Sequence, residues 1–250
     1  MKTPSFRSPP IFQSFPELLA AESTRHGGLS SFPYQSLNVG LFTEDRPEDI
    51  RQNRGLLFSS LGISEDQVAS SHQVHGDQIL MAEKPGFYEG YDALITSRPG
   101  LFLSVTIADC TPILVYDPVH RAVAAIHAGW RGTASRIVQK TMQAMKELFQ
   151  TRAEDCYAYV GTCIDECSYE VGAEVAGHFE TPFSRFDAQK QKYFLDLKAA
   201  NAAQLRAEGM AEERIGISPY STVLHNEDYF SHRKEKGETG RMLALVGVRE

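Results

Sequence analysis

The chain has 250 residues, a formal net charge of -7, and 42% hydrophobic and 23% charged content. This is the balance of an ordinary globular protein, long enough to bury a sizeable core. Lysines and arginines are scattered rather than gathered into one stripe, which argues against nucleic acid or an anionic membrane as the main partner. Residues 1–24 are broken by Pro4, Pro9, Pro10 and Pro16 and hold no continuous apolar run, so they do not read as a secretion signal. No stretch approaches the length of a membrane span. A cytoplasmic protein is expected, in which Cys110, Cys156, Cys163 and Cys167 act as thiols or ligands rather than as disulfides.

No repeat, low-complexity tract or long Gly/Ser linker divides the chain, so one domain over residues 1–250 is expected. A Pro-rich start leads into STRHGGLSS and PYQSLNVG, two irregular segments punctuated by glycine. Pro47 stands where a first helical turn would begin, Ile50, Leu56, Leu57 and Leu61 follow at helical spacing, and Gly62 is placed to end the helix. The runs QVASSHQV, QILM, YDALIT, LFLSVTI, PILVYD and RAVAAIHA are short, apolar or β-branched and bounded by turn residues, which predicts a sheet. From Thr133 to Phe149 apolar residues recur with helical period, and YAYVG then reads as a strand. Two more helices are expected near Val171 to Phe179 and Asp196 to Glu208, the second ended by Gly209, before a closing strand, MLALVGV. Hairpins mixed with helices point to the α+β class rather than a doubly wound α/β fold.

The segment ADCTPILVYDPVHRAVAAIHAGWRG carries the most chemistry. Two β-rich runs flank DPVH, and a symmetric hairpin centred between Pro118 and Val119 pairs Asp117 with His120 and, counting outward, Cys110 with His127. Directly opposed residues have Cβ atoms roughly 5 Å apart on one sheet face, which is ligand distance for a single metal ion. The pairing depends on loop length, since a three- or five-residue loop shifts the register by one. His75, at the mouth of a Gly76-Asp77 turn, is the third candidate. One thiolate and two imidazoles suit zinc, and three protein ligands leave a fourth position open, as catalytic zinc requires. Taken singly, a Cys is more often a small core hydrophobe and a His a satisfied polar residue. Their setting at strand ends and loops is what favours a site.

The segments STRHGG, PYQSLNVG, SHQVHG, DALIT, ADCTPILVYDP, AAIHAGWRGT, GTCI with YEVG, and FSHRKEKGETGRM resemble, in that order, the YfiH-like family, also called laccase-domain or multicopper-polyphenol-oxidase-like proteins. The resemblance runs from about residue 23 to residue 250. It implies a four-layer α/β/β/α sandwich with mixed β-sheets and a zinc ion held by His75, Cys110 and His127. It also implies phosphorolysis of purine nucleosides (adenosine, inosine and 5'-methylthioadenosine) with adenosine deamination as a companion reaction. A peptidoglycan-precursor editing role has been assigned to bacterial relatives. The chain departs from the pattern at Thr162, where many members carry Pro in GPCI, and at Ser221, where many have Cys before Thr.

Phosphorolysis needs a site for an anion, a site for a purine, and help for the leaving base. Arg25, Arg131, Arg233 and Arg241 lie in Gly-containing or motif segments and match phosphate bidentately, with Arg131 and Arg241 the leading candidates; Asn38 of PYQSLNVG joins them as a substrate contact. Trp130 and Phe42 are candidate base-stacking platforms, though an aromatic is more often core. His72 and Asp109 are candidate proton shuttles, a structural hydrogen bond being the plainer fate of each. The deaminase pattern H-x-E with P-C-x-x-C is absent. Three rival readings stand beside this one: a cysteine hydrolase or amidase that uses the same residues, with Cys110 activated by His127, a copper-dependent phenol oxidase, and a zinc-stabilised binding module without catalysis. The copper reading is weakened by the lack of H-x-H pairs, and the third by the open metal position.

Overall fold

A computed structural model describes residues 5–250. Its strands are β1 (Phe6–Arg7), β2 (Leu18–Ser23), β3 (Val68–His72), β4 (Ile79–Met81), β5 (Gly86–Glu89), β6 (Ala93–Thr96), β7 (Phe102–Ile107), β8 (Thr111–Asp117), β9 (Ala122–Ala128), β10 (Tyr157–Val160), β11 (Glu170–Val171), β12 (Ser184–Asp187), β13 (Lys192–Leu195), β14 (Ile215–Ile217) and β15 (Met242–Val248). The α-helices are α1 (Pro47–Ser60), α2 (Trp130–Ala134), α3 (Ile137–Phe149), α4 (Ala173–Ala176) and α5 (Leu197–Ala207).

Strands β8 and β9 are buried at every position, which explains why they read as continuous apolar runs. They lie at the centre of a six-stranded sheet ordered β14-β10-β8-β9-β6-β4, and a second six-stranded sheet runs β1-β2-β15-β7-β3-β5. Both mix parallel and antiparallel pairs. Leu94, Leu103, Leu114, Tyr116, Ala125 and Val246 fill the space between them. Leu57, Phe58 and Leu61 of the α1 region cover the outer face of the second sheet. Ile137, Met142 and Met145 of α3, with Leu205 of α5, cover the outer face of the first. Each such side chain contributes about 1.5–3 kcal/mol through burial. The layering is therefore α/β/β/α, as the resemblance implied. Among the described residues no helix is long and apolar enough to cross a membrane.

Helix α1 follows its sequence signals. Pro47 opens it, Glu48 and Asp49 face the positive end of its dipole, and Gly62, at φ +73, closes it. The N–H of Ile63 reaches the carbonyl of Phe58, and that of Gly62 reaches Ser59, the paired bonds of a Schellman ending. The helix expected from Thr133 to Phe149 is instead broken. Arg136 takes a left-handed conformation (φ 60) between α2 and α3. The Thr133 carbonyl, which would accept the next helical bond, takes one from Gln204 Nε2 at 2.8 Å, and its hydroxyl meets the Asn201 amide at 3.1 Å. Docking against α5 thus replaces a turn of helix. The helix expected from Val171 to Phe179 is also corrected: only Ala173–Ala176 is helical, because Val171 pairs with Tyr193 in a small β11-β13-β12 sheet.

Thr162 has a structural role that the family's common proline could not fill. Glu22 on β2 is 1% exposed, and Thr162 donates both its N–H (2.7 Å) and its hydroxyl (2.8 Å) to that carboxylate, with Tyr159 adding a third bond at 3.2 Å. A proline has neither donor. Burial nonetheless pushes the Glu22 carboxyl up from its ordinary 4.5, against the pull of these hydrogen bonds. A carboxyl raised in the folded state favours folding below its ordinary value and loses that contribution as pH climbs through the raised one. Wild type should therefore lose stability relative to Glu22→Gln as pH rises from the ordinary carboxyl range toward neutrality. Urea unfolding midpoints of the two proteins across that range check this, and parallel curves would contradict it.

Candidate active site

The β8-β9 hairpin does not have the register that the sequence suggested. Asp117 pairs with Ala122 and Pro112 with His127, across a four-residue loop, Pro118–Arg121. The expected pairing of Asp117 with His120, and of Cys110 with His127, is corrected by two positions. The cause is local. Asp117 Oδ1 accepts the N–H groups of Val119 (2.9 Å) and His120 (3.2 Å), and Arg121 supplies the left-handed residue (φ 53) that a Pro-Val turn lacks. A shift of two keeps side chains on their original faces. Cys110 consequently sits one step past the end of the ladder, diagonal to His127 rather than opposite it.

The three donor atoms of His75, Cys110 and His127 still converge, all lying within 4.8 Å of one another. The imidazole rings of His75 and His127 meet edge to face with centroids 4.9 Å apart. What holds them is Asp92, a fully buried residue at the start of β6. Its Oδ1 lies 2.8 Å from His127 Nδ1, and its carbonyl accepts the His127 N–H at 2.7 Å. The same carboxylate accepts the N–H groups of Val74 (3.1 Å), His75 (3.0 Å) and Gly76 (2.8 Å). These bonds compensate the left-handed backbone of His75 (φ 60). With Nδ1 engaged, His127 is left with Nε2 as its free nitrogen, the carboxylate–histidine arrangement that orients metal-binding imidazoles. Asp92 had not been singled out from the sequence, although it opens the DALIT motif. A carboxylate entering a buried strand was the available signal.

Space and charge fit a metal as well. A Cβ on Gly129 would stand 3.0 Å from Cys110 Sγ and 3.3 Å from the His75 ring, so any other residue would crowd the donors. Burial alone would raise the Cys110 thiol, but His127 and His75 draw it well below the ordinary thiol range. Burial likewise opposes charge on His127, yet Cys110 and Asp92 hold that imidazole above its usual value, so a bound cation would take the place of its Nε2 proton beside the thiolate. The sulfur is biased toward the thiolate, the form that binds a cation. His127 is buried while His75 is exposed, so the group opens on one side.

That side is a cleft of about 460 Å³. Arg131, Arg233 and Arg241 line it, together with Phe42, Trp130 and Tyr169. Arg25, Arg54 and Arg206 elsewhere each meet a carboxylate, but among the described residues none of the three cleft arginines does. Arg233 donates to the Glu170 carbonyl and lies over the Tyr169 ring; Arg131 lies 4.5 Å over Trp130. Arg241 donates to the carbonyls of Thr239 and Gly240, and burial lowers its pKa, the mark of a poorly solvated cation. It packs against Gly40, where a Cβ would approach Arg241 Cγ to 2.5 Å.

Two of the residues singled out as substrate contacts do not reach the cleft. Arg25 is paired with Glu235 at 3.0 Å, donates to the carbonyls of Gln35 and Asn226, and stacks on Phe230. Asn38 is fully buried, donates to Thr43 and Asp45, and accepts the N–H groups of Gly40 and Arg241. Both shape the loops behind the cleft wall. Asp109, at φ 91, is a tether of the same kind. Its carboxylate accepts the hydroxyls of Thr222 (2.6 Å) and Ser231 (2.7 Å) and the N–H of Arg233 (2.6 Å), binding the Arg233 loop to the strand end that carries Cys110. Ser221 hydrogen-bonds Asp165 and accepts the N–H groups of Val223 and Leu224, so the second departure from the family pattern also has a structural use.

Residues 19–249 match the family model described as multi-copper polyphenol oxidoreductase laccase. The chain belongs to this family. A protein of Deinococcus radiodurans named purine nucleoside phosphorylase is 39% identical over 230 residues, covering 91% of this chain and 88% of its own. Another of that name from Bacteroides thetaiotaomicron is 36% identical and covers 90% of each. The crystal structure of YlmD from Geobacillus stearothermophilus superposes with a TM-score of 0.90 at 33% identity, over 96% of this chain and 94% of YlmD. Despite the family's descriptive name, the described residues of this member offer one three-donor group, not several.

Because Asp92 orients His127 and fixes the His75 loop, Asp92→Asn should weaken metal binding by about 10–100-fold. Cys110→Ser should reduce the metal content of purified protein to a trace. Competition with a chromogenic chelator checks the first, elemental analysis the second, and full metal retention in both variants would contradict the assignment.

Proposed function

We propose that the protein is a zinc-dependent purine nucleoside phosphorylase, cleaving adenosine, inosine or 5'-methylthioadenosine with inorganic phosphate to give the free base and ribose 1-phosphate. The observation that carries this reading is one cleft that holds the His75, Cys110 and His127 donors and three arginines without carboxylate partners among the described residues. The relatives named purine nucleoside phosphorylase support it.

The reaction forms a bond between a phosphate oxygen and the sugar C1′ and breaks the bond from C1′ to the base nitrogen, whose electron pair leaves with the base and takes a proton. Phosphate must shed water and its charge must be balanced while it is aimed at C1′. Arg131 and Arg233 are stiffened by the aromatic rings beneath them, and Arg241 by its backbone carbonyls, so less freedom is lost when they grip an anion. Zinc suits the donor set of one thiolate and two imidazoles, and when bound at an open position it supplies concentrated positive charge to oxygen ligands. Deamination as a companion reaction would need a proton carrier beside that position, and Asp109, one of two candidates, has both oxygens engaged. A cysteine hydrolase would share these residues but would survive removal of the metal.

Zinc-loaded protein incubated with adenosine and phosphate should release adenine and ribose 1-phosphate, separable by chromatography. Activity should fall with chelation and return with zinc. Arg241→Ala should raise the KM for phosphate by about 10-fold or more, the cost of one charge-assisted contact. No base release from any purine nucleoside would overturn the assignment.

A further inference from the structure

Three Phe, Tyr or Trp rings line the cleft, and the structure distinguishes them. Trp130 carries the Arg131 guanidinium 4.5 Å from its centroid, and Tyr169 carries that of Arg233 at 5.2 Å. Their faces are engaged in holding cations. Phe42 is different: it is 62% exposed, carries no cation among the described residues, is stacked on His72 with centroids 4.1 Å apart and planes 27° from parallel, and meets Phe87 at a tilt with centroids 5.6 Å apart. Glu89, on the neighbouring strand, has a carboxylate oxygen 3.7 Å from His72 Nδ1.

A planar group laid against so open a ring removes apolar area from water on both partners, at roughly 25 cal/mol per Å². Nor is the ring loosely presented. The Gly40–Thr43 turn that bears Phe42 is pinned by Asn38, which accepts the Gly40 N–H at 3.0 Å and donates to Thr43 Oγ1 at 2.8 Å, while Thr43 Oγ1 donates to the Gly40 carbonyl at 3.0 Å. The cleft therefore has two kinds of wall: aromatics that fix arginines, and an exposed ring backed by His72 and Phe87 on a pinned turn.

We propose that the Phe42–His72 pair is the shelf on which the nucleobase lies, and that its overlap with a two-ring base selects purine over pyrimidine nucleosides. The proposal rests on the reading of the cleft as a nucleoside site. It gives the cleft two parts, with the base on the shelf and the anion among Arg131, Arg233 and Arg241. Stacking is sequence-tolerant among bases but grows with shared area, so a double ring gains more than a single one.

The test uses 2-aminopurine riboside, whose fluorescence is quenched by stacking, titrated with zinc-loaded protein. Wild type should quench it on binding. Phe42→Ala should lose the quenching and bind about 10-fold more weakly, Phe42→Tyr should retain both, and uridine should compete poorly with wild type. In turnover, Phe42→Ala should raise the KM for inosine while the KM for phosphate stays within about twofold. Unchanged affinity and quenching in Phe42→Ala, or no binding of the probe to wild type, would overturn the proposal. Quenched binding without base release would leave the shelf standing and remove the phosphorylase reading instead.

Discussion

Asp92 is the point on which the site depends. One buried carboxylate holds two of the three candidate ligands, accepting a ring contact from His127 and three successive backbone N–H groups around His75. The His75 backbone is left-handed, an arrangement that costs a β-unbranched residue of order 1–3 kcal/mol unless its surroundings compensate. The charge-assisted bonds from Val74, His75 and Gly76 are that compensation. The buried carboxylate in turn is satisfied only because those groups and His127 are present. Loop conformation, imidazole orientation and burial of a charge are thus one interdependent arrangement, and the loss of any part leaves the others unsatisfied.

The hairpin shows how much of this could be read beforehand. PILVYD and RAVAAIHA announced two buried strands, and their pairing placed Cys110 near His127 without any structure. The register was missed because the Asp117 side chain, not the Pro118-Val119 dipeptide, organises the turn: an Asx-type contact with the Val119 and His120 N–H groups lengthens the loop to four residues. The conclusion survived because the side-chain period of a strand is two, so an error of two residues changes a neighbour and not a face. The broken helix is a different kind of miss. The apolar period from Thr133 onward is real, but the Thr133 carbonyl is claimed by Gln204 from a helix some seventy positions away, and no local pattern records that.

The arginines divide along the same line. A guanidinium in a Gly-rich motif looks alike in sequence whether it faces a ligand or a carbonyl. Partners separate them: Arg25 meets Glu235 at 3.0 Å and two carbonyls, so its charge is already balanced inside the protein. Arg131, Arg233 and Arg241 are held by aromatic faces and carbonyl oxygens, which orient a cation without neutralising it. Their charge is therefore left to act on whatever enters the cleft.

The same principle explains why the chain can depart from its family's pattern and keep its centre intact. Thr162 stands two residues before Ile164 of the cleft, and both Thr162 and Ser221 direct their polar groups to protein carboxylates, Thr162 to Glu22 and Ser221 to Asp165. The Asp109 tether joins Thr222, Ser231 and Arg233 to the strand end beside Cys110, one of the three converging donors. The departures at Thr162 and Ser221 are absorbed by local hydrogen bonds. A substitution at Asp109 would instead free the loop bearing Arg233 from the strand bearing Cys110, and the distance between that guanidinium and the three donors would no longer be fixed by the fold.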